Sequence, residues 1–308
     1  MQTFWNFNGN ISQIEEWKPG CWVQVTCPTA QEKLDLESQF GVPDSFVKDI
    51  ADTEERSRYD LDEGWLMIIL RIPHLRNASS RSPYNTIPLG ILLKGDKIIS
   101  VCDHDTQMMA DFINHQKRRA EGFTDAADFV FRLFLSASVW YLKYLKQVSG
   151  KVDQAKRNLD RNVTNNDLIA LSRLQDSLTY FGTSIRGNES LLSKLKFRLP
   201  VDALDAELIE DVNIEMQQAR ETTGIYLNIL DSTMDTYSSI INNNMNTVMR
   251  LLTSLNMIVL FPTFITSMFG MNLINGMENW WFGFPVALIL CFACTAISLF
   301  WFRKKRWL

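Results

Sequence analysis

The chain has 308 residues, 46% of them hydrophobic and 21% charged, with 31 Lys and Arg against 35 Asp and Glu for a formal net charge of -4. That balance excludes a disordered tail or a low-complexity array and gives no electrostatic case for a nucleic-acid partner. The length allows one large domain or two smaller ones, but the apolar residues are unevenly spread, with every long uncharged run in the last sixty positions.

The first twenty residues include Glu15, Glu16 and Lys18 and no apolar run of signal-peptide length, so the N-terminus is expected to stay in the cytoplasm. Up to about residue 102, short β-type runs at 21–27, 64–72, 86–93 and 97–102 alternate with turn signals such as Lys94-Gly95-Asp96, which predicts an α/β domain. From about Asp105 no proline occurs before Pro200, and Leu, Ala, Lys, Asp and Gln recur at helical spacing. This stretch predicts long antiparallel helices, broken near Ser149-Gly150 and across 182–187. Residues 1–200 thus form a cytoplasmic α/β and helical domain.

After Leu199-Pro200, apolar or small residues recur at Val212, Met216, Ala219, Thr223, Tyr226, Leu230, Met234, Tyr237, Ile241, Met245, Val248 and Leu252. Their mean spacing of about 3.6 fits a nearly straight α-helix rather than a strict heptad. Uninterrupted from about Ala203 to Phe269, it would be on the order of 100 Å long, with a stripe that no helix buries alone. Residues 201–250 form an acidic stalk. Between Val201 and Asn246 lie nine acids and one base, Arg220, a net charge of -8. Such a charge run is either a solvated face or a surface that divalent cations bridge.

Residues 251–269 carry no charge, nor do residues 280–302, and each run is long enough to cross a bilayer. The loop between them, 270–279, has one acid, Glu278, and no base, while Arg303, Lys304, Lys305 and Arg306 follow the second run. The positive-inside rule then puts the 303–308 tail in the cytoplasm and only the loop outside. Trp280, Trp281, Trp301 and Trp307 fall at the span ends, where amphipathic rings sit at headgroup depth. Cys291 and Cys294 read as small residues suited to lipid, since no second Cys or His pair accompanies them.

Along the first span, Asn246, Met249, Leu252 or Thr253, Asn256, Leu260, Thr263, Ser267 and Gly270 follow at spacings of three and four and so share one side. An Asn in a bilayer is costly against lipid, so Asn256 faces either a helix partner, as polar glue, or a water-filled pore built from several copies. In the pore reading Met249, Leu252 and Leu260 narrow the path and gate it by dewetting. Pro262 frees a carbonyl near Ile258, which reads as a kink or as a lining oxygen.

At the end of this span stands Phe269-Gly270-Met271-Asn272. With the long helix before it, a short acidic loop, a second span and a basic tail, the sequence resembles the CorA-type magnesium channels, whose signature is an aromatic followed by Gly-Met-Asn. The match is specific over about residues 200–308 and extends to the rest by overall plan. The resemblance implies an α/β/α cytoplasmic domain and a homopentamer in the inner membrane with both termini in the cytoplasm. It implies a pore lined by Asn246, Met249, Leu252, Asn256, Leu260, Thr263 and Ser267, the face already found from spacing. Relatives often carry a small apolar residue where Asn256 stands. Asp211, in Glu210-Asp211-Val212, matches the stalk position of a regulatory acid, so cytoplasmic Mg²⁺ is expected to close the channel there. The basic tail becomes a collar around the inner pore mouth.

The tripeptide suits a small hard dication that gives up water reluctantly. Asn272 offers an amide oxygen, Gly270 permits close backbone approach, and Met271 packs the loop. Glu278 is either a solvated loop acid or an attractor of cations. Mg²⁺ is the expected ion, with Zn²⁺, Co²⁺ or Ni²⁺ transport as the rival within the family, and a non-conducting divalent-cation sensor as the rival outside it. His74, His104 and His115 have no ligand spacing, and no nucleotide loop or catalytic set occurs, so no enzyme is expected.

Overall fold

Two long strands rich in Ile and Leu, β5 (Trp65–Leu75) and β6 (Tyr84–Lys94), pair antiparallel and form the spine of a seven-stranded sheet in the computed structural model. The structure describes residues 1–7, 9, 11–76, 82–119, 122–158, 164–199, 206–271 and 281–307. They divide into two units, Met1–Met234 and Asp235–Leu308, with the boundary inside one helix.

The other strands are β1 (Gln2–Trp5), β2 (Gln13–Ile14), β3 (Trp22–Thr26), β4 (Arg58–Asp62) and β7 (Lys97–Cys102), in the order β2-β1-β3-β7-β6-β5-β4. Only β3 and β7 run parallel. The β6–β7 hairpin closes on Gly95-Asp96 between the paired Lys94 and Lys97; Gly95 takes φ 59°, which a residue with a Cβ adopts at a cost.

One face of the sheet packs Val23, Met67, Ile69, Leu92 and Val101 against α1 (Ala30–Ser38) and α2 (Asp44–Ala51) through Leu36, Phe46 and Ile50. Gly90 lets α2 close down, because a Cβ there would lie 2.3 Å from Ile50 Cδ1. On the other face Trp22 meets Phe112 of α3 (Gln107–Arg119) and Phe129 of α4 (Ala126–Asn158), and its indole N–H donates to Ser100 Oγ at 2.9 Å. The domain is α/β/α, as expected.

The helices α4 and α5 (Asn165–Arg198) correct the sequence expectation of breaks, since neither is interrupted at 149–150 or 182–187. The glycines of α5 serve packing. A Cβ on Gly182 would stand 3.5 Å from Thr223 Cγ2, and one on Gly187 would stand 3.2 Å from Ser57 Oγ. The actual start of α5 is Thr164, whose side chain forms a capping box with Asp167.

The sheet has one local device at its edge. β4 pairs with β5 only as far as Ile69, so the backbone of Arg71 has no strand partner on that side. Asn188 of α5 replaces it, accepting from Arg71 N at 3.1 Å and donating to Arg71 O at 2.8 Å. The Arg71 guanidinium turns inward and donates to the carbonyls of Thr53, Glu55 and Thr86. Burial holds its pKa below the usual guanidinium value.

α6 (Ala206–Phe269) is continuous for 64 residues, starting three residues after the expected Ala203; residues 203–205 lie outside those described. α7 (Gly283–Lys304) follows, displaced slightly from the expected 280–302. The α6 stripe is buried at Val212, Met216, Ala219, Thr223, Leu230 and Tyr237, then becomes exposed at Met245, Val248 and Leu252. In the first unit α6 is tied to α5 by Arg220–Glu189 at 3.2 Å, Gln175 donating to Asp231 at 2.6 Å and Lys196 donating to Asn213 at 2.8 Å.

Candidate ion pathway

The second unit is the hairpin of α6 and α7, two helices each long and apolar enough to cross a membrane, with little of either apolar window buried against protein. Their mutual contact fixes which side of α6 is free. Ser254 and Ile258 are buried and Pro262 is half-buried, one turn apart on a single line. The Cys291 thiol of α7 donates to the Pro262 carbonyl at 3.7 Å, and Ser298 and Phe302 continue the buried line on α7. Helix α6 runs on through Pro262 without interruption, and Cys291 and Cys294 are free thiols on α7.

The eight residues expected to line a pore, Asn246, Met249, Leu252, Thr253, Asn256, Leu260, Thr263 and Ser267, are all exposed; Met249, Leu252, Asn256, Leu260 and Ser267 turn away from that contact, with Asn246, Thr253 and Thr263 on its flanks. Thr253 and Thr263 return their hydroxyls to Met249 O and Val259 O at 2.8 Å each. Each threonine hydroxyl therefore spends its proton inside the helix and keeps its oxygen lone pairs to accept from outside.

Gly270 ends α6, its N–H reaching Thr266 O at 3.0 Å, and Met271 is exposed just beyond. Asn272, Glu278 and Trp280 lie outside the described residues. At the other end of the hairpin Arg303, Lys304, Lys305 and Arg306 are exposed, and Lys305 stands over the Trp301 ring at 5.5 Å. Behind them Phe302 is buried against Trp307. Between Thr266, Gly270 and the Phe284–Thr295 stretch of α7 lies an apolar cavity of about 480 Å³.

In the first unit, Asp211 is exposed on α6 and makes no hydrogen bond or ion pair among the described residues. Arg220, the sole base of the acidic stretch, is engaged by Glu189. No group of three or more carboxylate, imidazole or thiol side chains converges among the described residues. The fold does unite two histidines that sequence spacing kept apart: the rings of His74 on β5 and His104 after β7 lie 5.2 Å apart. Burial, then His104 and Arg76, pushes the His74 pKa down. Only the strand pairing, invisible to local spacing, brings them together.

A paired-span membrane protein with an α/β/α domain and an acidic long helix defines the class as a CorA-like transporter. A family model, described as CorA-like Mg2+ transporter protein, matches residues 17–304, and the chain belongs to the CorA family. It is 23% identical over 299 residues to the Cobalt/magnesium transport protein CorA of Methanocaldococcus jannaschii, covering 93% of this chain and 91% of that one. With the Magnesium transport protein CorA of Escherichia coli K12 it shares 21% identity over 310 residues, covering 96% and 95%. The fold matches the complete structure of the CorA magnesium transporter from Methanocaldococcus jannaschii with a TM-score of 0.80, at 20% identity and covering 100% and 99% of the two chains.

Proposed function

We propose that this chain is the subunit of a channel that admits Mg²⁺ down its electrochemical gradient, assembled as a homopentamer in the inner membrane with both termini in the cytoplasm. The observation that carries the reading is the face from Asn246 to Ser267. It is exposed, turns away from the α7 side at Met249, Leu252, Asn256, Leu260 and Ser267, and ends at Gly270-Met271 with Asn272 next in the chain. Copies arranged with α7 outermost turn this face to a common axis.

At the outer mouth, Gly270, Met271 and Asn272 would hold the hydrated ion through its water shell, with Glu278 raising the local cation concentration. Uncharged oxygens bind the ion without trapping it. Arg303, Lys304, Lys305 and Arg306 form the inner basic collar. The membrane potential supplies about 2.3 kcal/mol per charge per 100 mV, which drives uptake of a dication without nucleotide hydrolysis. Closure follows from the stalk: cytoplasmic Mg²⁺ bridging Asp211 to acids of a neighbouring copy offsets the repulsion between helices that each carry -8 over residues 201–246.

Transport of Co²⁺ is the second reading, favoured by the name of the Methanocaldococcus jannaschii relative, a cobalt/magnesium transport protein. Mg²⁺ influx into proteoliposomes, read with a fluorescent indicator and competed with Co²⁺, Ni²⁺ or Zn²⁺, decides between the ions. Asn272→Ala is expected to abolish flux in a protein that still assembles. Unimpaired flux removes the mouth site, and no flux from the unsubstituted chain under an imposed potential turns the reading to a membrane-anchored divalent-cation sensor.

A further inference from the structure

We propose that Asn256 is an intramembrane station for the passing cation: its amide, repeated around the axis by each copy, hydrogen-bonds the water shell of the dication and sets how Mg²⁺ competes with Co²⁺. The inference rests on the pore reading above and adds a second point of ion contact, away from the Gly-Met-Asn mouth.

Three observations carry it. Asn256 lies about 9 Å along the helix axis from Arg250, the last charge before the span, and about 20 Å from Phe269, so its amide sits at hydrocarbon depth. Thr253, Ser254, Thr263 and Thr266 each return a hydroxyl to a carbonyl three or four residues back, at 2.7 to 2.9 Å. Asn256 makes no such bond, and among the described residues its two donors and its acceptor have no partner; Ser267 shares that lack but stands near the outer end. An amide unsatisfied in lipid costs several kcal/mol, so it faces water or another copy.

The direction of the side chain favours water. Buried Ser254 and Ile258 mark the α7 side of the helix, and Asn256, two residues from each, lies about 160° away. It therefore points away from the second span. Leu252 and Leu260, one turn either side, are apolar, so an ion moving along this face meets one polar side chain between Thr253 and Thr263. A neutral amide oxygen accepts from metal-bound water without stripping the ion or holding it by charge, as a weak binding point in a conducting path requires.

The experiment compares Mg²⁺ influx, Co²⁺ competition and thiol accessibility in proteoliposomes of full-length protein, with size-exclusion elution as the check on assembly. Asn256→Ala is expected to lower Mg²⁺ influx or shift its ratio to Co²⁺ by about fivefold, the effect of losing one hydrogen bond to the shell, and Asn256→Gln to restore part of it. Asn256→Cys is expected to react with a small charged thiosulfonate, above the background of the five native cysteines, and to lose flux. Unreactive Asn256→Cys beside reactive Leu252→Cys and Thr263→Cys overturns the station and leaves the pore, placing Asn256 between helices. If none of the three reacts, the pore face falls as well. Unchanged flux and ion ratio in Asn256→Ala also overturn the proposal.

Discussion

Asn188→Leu tests the device that holds α5 to the sheet. The Asn188 side chain is 1% exposed and makes three bonds: it accepts from Arg71 N at 3.1 Å and Ser57 Oγ at 2.7 Å, and donates to Arg71 O at 2.8 Å. Leucine nearly conserves the volume but leaves the Arg71 N–H and the Ser57 hydroxyl without their acceptor. The Arg71 carbonyl keeps Tyr141, whose hydroxyl donates to it at 3.0 Å, so the loss falls on two donors rather than three groups. The Arg71 N–H is buried and the Ser57 hydroxyl half-buried, so at about 1 to 3 kcal/mol for the first and less for the second the substitution costs about 3 kcal/mol at most. For a unit of this size a loss of about 2 to 3 kcal/mol lowers Tm by about 4 to 12 °C. Thermal unfolding of the detergent-solubilised protein, followed by tryptophan fluorescence, measures it, with Asn188→Asp as a companion that keeps the acceptor and adds a buried charge. A shift under 2 °C in Asn188→Leu would refute the account of Asn188 as the missing edge partner.

The two glycines of α5 are expected to respond with opposite sign. Gly182→Ala places a methyl at ordinary contact distance from Thr223 and gains about 1 kcal/mol of helix propensity, raising Tm, whereas Gly187→Ala crowds Ser57 and disturbs its bond to Asn188, lowering Tm. Burial pushes the Cys102 thiol up to about 12, so iodoacetamide at pH 8 is expected to label exposed Cys27 and spare Cys102 until the protein unfolds. Because the folded pKa of Cys102 lies above its unfolded value, its contribution to stability is complete below about pH 8.5 and is lost as pH rises toward 12. A Cys102→Ala chain should therefore lose less stability across that interval in a pH series of melts. Asp211→Ala is expected to weaken inhibition of influx by internal Mg²⁺, measured by loading liposomes with graded Mg²⁺; unchanged inhibition makes that acid a solvated one.

What could be read from the sequence was whatever local pattern encodes. The Lys94-Gly95-Asp96 turn sits between two strong β-type runs, and the hairpin falls there. The short strands β1, β2 and β4 carry too few residues to produce a period that would mark them. Gly182 and Gly187 look like breakers in a list of propensities, yet a glycine inside a buried helix is equally what close packing needs, and only Thr223 and Ser57, distant in sequence, decide between the two. Asn188 shows the same limit. Nothing around it marks a residue that completes a sheet edge 117 positions earlier in the chain.

The long helix marks where a single chain stops being a sufficient description. Its period of about 3.6 continues unchanged from Val212 to Leu252, but the stripe is buried only as far as Tyr237, and Met245, Val248 and Leu252 remain exposed. A period specifies that a face is apolar and is silent on what covers it. The acids of the stalk add a constraint that the period lacks. Copies brought together along the exposed stripe would bring -8 from each 201–246 segment into proximity, and the one base there is already engaged by Glu189. In the assembly proposed above, counter-charge from bound cations or from basic side chains of a neighbouring copy would offset that repulsion, and Asp211, exposed and without a partner among the described residues, is placed to receive it. Under the proposed function the burial that holds the copies together and the cation that closes them act on the same helix, so the strength of association is expected to rise with divalent-cation concentration.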